Sequence, residues 1–138
     1  MQLEVKINLI LHATENENRV LEILEDVFHI EQKKFQIEQV PGHFNNPILL
    51  ISSKLKKKSA QDFVSIFFSK MEKDEFQEIF DNVEDYVTSS GLNLRISKQR
   101  LISEILTLSK EDSIKINIST PVYVKNETKK IYQELMKK

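Results

Sequence analysis

The sequence predicts an α+β fold: a single layer of mostly antiparallel sheet with helices packed on one face. Three observations predict it. Several segments alternate apolar and polar residues with the period of a half-buried strand, and others place apolar residues three and four apart as an amphipathic helix does. Strands that follow one another through short turns pair antiparallel, and the helical segments suffice to cover one side of such a sheet. The elements read in the order β-α-β-β-α-α-β-β-β-α over residues 1–138, which is one domain's worth of chain.

The first strand is written by Leu3, Val5, Ile7, Leu9 and Leu11 alternating with Glu4, Lys6, Asn8, Ile10 and His12. Thr14 and Glu17 form a T-x-x-E capping box that opens a helix with Val20, Leu21, Ile23, Leu24, Val27 and Phe28 as its apolar stripe. A strand follows over residues 35–40, then the loop Pro41 to Pro47, then the apolar run Ile48 to Ile51, which reads as a strand more buried than its neighbours. Lys54 to Lys58 leads to Ser59, a helix cap with Asp62 in the N3 position. Phe63, Ile66, Phe67 and Met71 line one helix, and Phe76, Ile79, Phe80, Val83 and Val87 line a second, ended by Gly91. Leu92, Leu94 and Ile96 mark a strand, residues 102–108 another, and Ile114, Ile116 and Ile118 the last, with Pro121 at its end. From about Asn126 a helix runs on with Ile131, Tyr132, Leu135 and Met136 as its apolar side.

Composition excludes much chemistry. There is no cysteine, so thiolate nucleophiles, thiolate zinc sites, iron–sulfur clusters and disulfides are out, and a reducing, cytoplasmic setting fits. Gly42 and Gly91 are too few for a glycine-rich phosphate loop. No leader and no apolar run long enough to span a bilayer is visible, so no membrane role is expected. The net charge is −1, but the signs are segregated. Acids dominate residues 15–31 and 72–85. Bases gather at Lys54, Lys56, Lys57 and Lys58, at Arg95, Lys98 and Arg100, and in the carboxyl-terminal tail.

Nothing points to catalysis. His12, His29 and His43 show no metal-ligand spacing, the carboxylates fall on helix faces, and the serines lie in no nucleophile context. No catalytic residue, metal, cofactor or small-molecule substrate is therefore expected. Three features offer contacts instead. The loop from Pro41 to Pro47 combines fixed proline ends, a glycine free to take a positive dihedral, and the hydrogen-bonding His43, Asn45 and Asn46. The lysine run at 54–58 serves either as edge protection or as phosphate contact. In Arg95-x-x-Lys98-Gln99-Arg100, two guanidinium forks suit phosphate oxygens and the Gln99 amide suits a ribose hydroxyl or base edge.

His12-Ala13-Thr14-Glu15-Asn16-Glu17 with Val20-Leu21, Gly42-His43-Phe44-Asn45-Asn46-Pro47-Ile48, Leu94-Arg95-Ile96-Ser97-Lys98-Gln99 and Thr120-Pro121-Val122-Tyr123 come in this order along the chain. Together they resemble the blocks of a small archaeal family described as RNA-binding and as a predicted exosome-associated subunit. At Asn45 that family usually carries glycine. The resemblance implies a fold similar to the ribosomal protein that binds 5S ribosomal RNA, and no activity as an enzyme. On it rests the expectation of a structured-RNA partner read by shape. Lys54, Lys56, Lys57, Lys58, Arg95, Lys98 and Arg100 would lie on phosphates, with Gln99, His43 and Asn45 adding hydrogen bonds. Most phenylalanines fall on helix stripes, which disfavours a base-stacking platform. The alternative expectation is an interaction module that docks a protein partner or forms a homodimer.

Overall fold

The structure is a computed structural model that describes residues 2–12, 15–42 and 46–137, with Lys125 described in its backbone only. Alternation in the first strand, β1 (Glu4–Leu11), buries Val5, Ile7, Leu9 and Leu11 and leaves Lys6, Asn8 and Ile10 exposed. It lies inside a six-stranded sheet with β2 (Gln36–Pro41), β3 (Pro47–Lys56), β4 (Val87–Thr88), β5 (Gly91–Ser97) and β6 (Ser113–Ser119). The spatial order is β2-β3-β1-β6-β5-β4, and each pairing is antiparallel. The chain is therefore α+β, with one antiparallel sheet.

Helices α1 (Glu17–Phe28), α2 (Lys57–Lys70) and α6 (Thr128–Lys137) bury apolar stripes in the same core as the inward strand residues. Between them run α3 (Lys73–Asp81) and α4 (Val83–Tyr86). A file of rings joins Phe28, Phe63, Phe67, Phe68, Phe76 and Phe80, with consecutive centroids 5.1–6.0 Å apart. Each fully buried ring contributes roughly 1.5–3 kcal/mol through burial. Phe35 is buried as well, so the phenylalanines of the described residues serve the core, as their helical spacing indicates.

Several local readings are corrected. Thr14 lies outside the described residues; α1 is capped by Asn16, whose side chain accepts from the Arg19 N–H. β3 runs through to Lys56 and α2 starts at once at Lys57, so Ser59 lies inside the helix rather than at its cap. Ile48 to Leu50 are half-buried rather than deeply buried, because their outer neighbour β2 is an exposed edge. The helical stretch lined by Phe76 to Val87 divides at Asn82, and Val87 belongs to β4. The carboxyl-terminal helix begins at Thr128, after a 3-10 turn over Lys125–Glu127.

The strand expected over residues 102–108 does not form: a short helix, α5 (Lys98–Ile102), started by Ser97, whose hydroxyl accepts from the Arg100 N–H, runs into its first residue, and a turn follows at 103–104. The chain then passes alongside β5, with Ser97 N–H on Thr107 O and Ser109 N–H on Arg95 O. It pairs only as a bridge between Ile96 and Leu108, and the Leu108 N–H, which faces away from β5, is taken by the Glu75 carboxylate of α3.

The two glycines work by different means. Gly42 is not in the left-handed region; its N–H meets Asn46 O at 2.9 Å, and a Cβ there would stand 2.3 Å from that same oxygen. Gly91 does not end a helix. It opens β5 at φ +122, and a Cβ there would lie 2.6 Å from the Ile118 carbonyl oxygen of β6. Gly91→Ala is expected to cost about 1–3 kcal/mol through backbone strain, read as a lower midpoint in urea unfolding.

Candidate functional site

The helices cover the face that holds Val5, Ile51, Leu94 and Ile116, which leaves the other face of the sheet open. Register decides what stands there. Lys6 of β1 is opposite Lys54 of β3 and Asn117 of β6, which is itself opposite Asn93 of β5. One row along, Gln36, Ser52, Asn8, Lys115 and Arg95 follow each other across β2, β3, β1, β6 and β5. From β3 to β5 is three interstrand steps, about 14 Å. Lys6, Lys54, Arg95 and Lys115 are all exposed.

This arrangement places like charges directly opposite one another twice, Lys6 with Lys54 and Arg95 with Lys115, which destabilises a sheet. Glu4 offsets the first pair, at 3.9 Å from Lys6 and 3.3 Å from Lys54. Among the described residues, Arg95 and Lys115 have no ion-pair partner. Between the two pairs the amides are held in place. Asn117 donates to Asn93 Oδ1 at 2.8 Å, and Asn93 donates to Thr88 Oγ1 at 2.8 Å.

Two large concavities mark this face, beside a hollow of about 340 Å³ over Lys6, Gln36, Ser52 and Lys54. The larger, of about 900 Å³, runs over Asn8, Ile10, Gln36, Leu50, Arg95, Lys110 and Lys115. A second, of about 700 Å³, lies toward β4 and shares Arg95 and Lys110 with the first. Tyr86 borders it; burial pushes the Tyr86 hydroxyl above its ordinary value of 10.0, and the negative charge of the nearby Glu78 carboxylate adds to the rise.

The sequence-derived contact residues do not form one patch. Lys54 and Arg95 stand on the open face. Lys56, Lys57 and Lys58 are exposed at the end of β3, beside the start of β1, where Lys57 N–H meets Leu3 O. Gln99 and Arg100, exposed on α5, lie beyond the opposite end, because β5 runs in the same direction as β1. His43 and Asn45 fall outside the described residues.

Lys98 is not a surface group. Its side chain is 2% exposed, and the ammonium lies 2.7 Å from Ile10 O, 2.8 Å from Glu15 Oε1 and 3.0 Å from Asp112 Oδ1. Those acceptors take its three donors, so none is left for a phosphate. The same ammonium answers the metal question at this spot. His12, Glu15 and Asp112 each bring a ligand atom within 4.8 Å of the others, but a divalent ion between the carboxylates would meet the lysine's charge.

Sequence phase places Lys6 and Lys115, with Asn8, Arg95 and Asn117, on the outward side of the sheet without counting the two lysines among the contacts, and Lys110 it passes over. Lys6 and Lys115 sit at outward positions of clean alternations, whereas Lys98 continues the inward series Leu92, Leu94, Ile96. Among the described residues no helix is long and apolar enough to cross a membrane.

A protein-family model described as RNA binding matches residues 4–120. RNA-binding protein PAB1135 of Pyrococcus abyssi is 26% identical over 126 residues, which is 86% of this chain and 82% of that protein. Among solved structures, protein SSO0741 of Sulfolobus solfataricus superposes with a TM-score of 0.78 at 26% identity, covering 96% of each chain. Mth689, a DUF54 protein of Methanothermobacter thermautotrophicus, does so at 0.77 and 22% identity over 99% of each, which shows the shared fold.

Proposed function

This chain belongs to the RNA-binding family whose model spans residues 4–120, and we propose that it holds structured RNA against the open face of its sheet, without catalysis of its own. One observation carries the reading. The sheet sets Arg95 opposite Lys115 and Lys6 opposite Lys54, a repulsive placement that a polyanion relieves. Bases near the face extend the footprint to Lys56 and Lys110. Between the cations stand Asn8, Ser52, Asn93 and Asn117, short polar groups suited to the 2′-hydroxyls that a shallow A-form minor groove presents. Recognition is then by shape and backbone, with Lys57, Lys58 and Arg100 serving as outlying contacts at the two ends of the sheet.

Two finer parts of the proposal draw support from the motif blocks in the sequence. One is kinship with the ribosomal protein that binds 5S ribosomal RNA. The other is an accessory association with the exosome in the cytoplasm.

Fluorescence anisotropy of a labelled RNA hairpin, against a DNA duplex of equal length, tests the reading. With four to six phosphates engaged, log affinity is expected to fall with log salt at a slope of about −3 to −5, with RNA preferred. No binding to either at low salt would overturn it. That outcome favours a protein partner or second copy docking along the exposed β2 edge, where Ile37 is 43% exposed.

A further inference from the structure

Both large concavities mix apolar walls with carboxylates, Glu38 and Asp112 in the larger, and the one toward β4 differs in bringing an aromatic side chain to the open face. Tyr86 and Leu108 wall it with apolar surface, Asp85 and Asn93 add polar groups, and Arg95 with Lys110 stand on the divide between it and the larger concavity. A continuous duplex presents phosphates, 2′-hydroxyls and base edges, its base faces stay stacked away from Tyr86, and the carboxylate of Asp85 would repel its phosphates. An unpaired base brings an aromatic face and exocyclic N–H donors, which is what Tyr86 and Asp85 complement. Tyr86 is the aromatic residue bordering either concavity among the described residues. The volume of about 700 Å³ falls in the range of small-ligand sites.

We propose that this concavity takes one unpaired ribonucleotide flanking the helical RNA on the sheet. Its phosphate lies on Arg95 and Lys110, its base lies against Tyr86 and Leu108, and Asp85 accepts an amino hydrogen of the base. The proposal rests on the RNA reading of the open face and adds to it a preference for duplex ends or bulges over continuous helix.

The test compares three RNAs of one duplex sequence: blunt, with a single 3′-overhanging 2-aminopurine, and with the same base overhanging at the 5′ end. At least one overhang is expected to bind about 5- to 50-fold tighter than the blunt duplex, with its fluorescence changed as the base enters the site. Tyr86→Leu is expected to remove that gain and leave blunt-duplex affinity unchanged, whereas Tyr86→Phe keeps it. Tyr86 is half-buried, so folding of each variant is checked by circular dichroism, and the wild-type comparison decides alone if Tyr86→Leu unfolds. Equal binding of all three RNAs by the wild-type protein overturns the proposal and leaves the RNA reading standing. Absence of binding to any of them overturns both.

Discussion

Replacing Lys6, Lys54, Arg95 and Lys115 together with alanine is expected to weaken binding of structured RNA by on the order of a hundredfold at moderate salt. The slope of log affinity against log salt should become shallower by about three, because each lost phosphate contact removes slightly less than one counterion from the balance. The fold should survive. All four side chains are exposed, and substitutions at such positions usually shift stability by less than about 0.5 kcal/mol each. Here the shift carries a definite sign at one pair. Arg95 and Lys115 oppose each other across β5 and β6 without an acid partner among the described residues, so Arg95→Ala with Lys115→Ala relieves repulsion. A variant that loses RNA and melts no earlier than the parent separates recognition from folding. If RNA affinity and salt slope were both unchanged, the open face would not be the binding surface.

The layered α+β fold was legible because its strands carry strict alternation and its helices strict spacing. Leu3 to Leu11 and Ile114 to Ile118 announce both their element and their buried side. The strand expected over residues 102–108 did not form because α5 runs into its start at Ile102, and the segment after the turn meets β5 at a single bridge, Ile96 with Leu108. The start of that helix is a local signal, the Ser97 hydroxyl three residues before the Arg100 N–H it accepts from. Alternation alone puts Lys6, Arg95 and Lys115 on the outward side of the sheet, but it does not show which of them become neighbours. Runs such as Lys54 to Lys58 and Arg95 to Arg100 stand out along a sequence, yet successive strand residues face opposite ways and a run spills off the sheet end. A charged sheet face is assembled instead from single residues, Lys6, Lys54, Arg95 and Lys115, brought together by register between strands far apart in the chain.

Lys98→Ala is expected to lower the free energy of unfolding by about 2–4 kcal/mol while leaving the salt slope of RNA binding where it was. The ammonium ties three parts of the chain together: the carbonyl of Ile10 in β1, the turn that carries Glu15, and Asp112 just before β6. Removing it strands two carboxylates and a carbonyl and opens the space its stem fills. The loss is smaller than for a fully buried pair, because the Glu15 and Asp112 side chains are 24% and 55% exposed and water can take part of the load. Lys98→Met, which restores the stem without the charge, should lose less than alanine does. Adding Glu15→Gln and Asp112→Asn to the methionine variant should recover more, since two unpaired charges are then gone. Urea unfolding ranks these proteins, and anisotropy below their melting points reads the slope. A slope shallower by about one unit in Lys98→Met would return this lysine to the phosphate contacts. An unchanged slope beside a lowered midpoint marks it as the cation that holds β1, α5 and β6 together beneath the binding face.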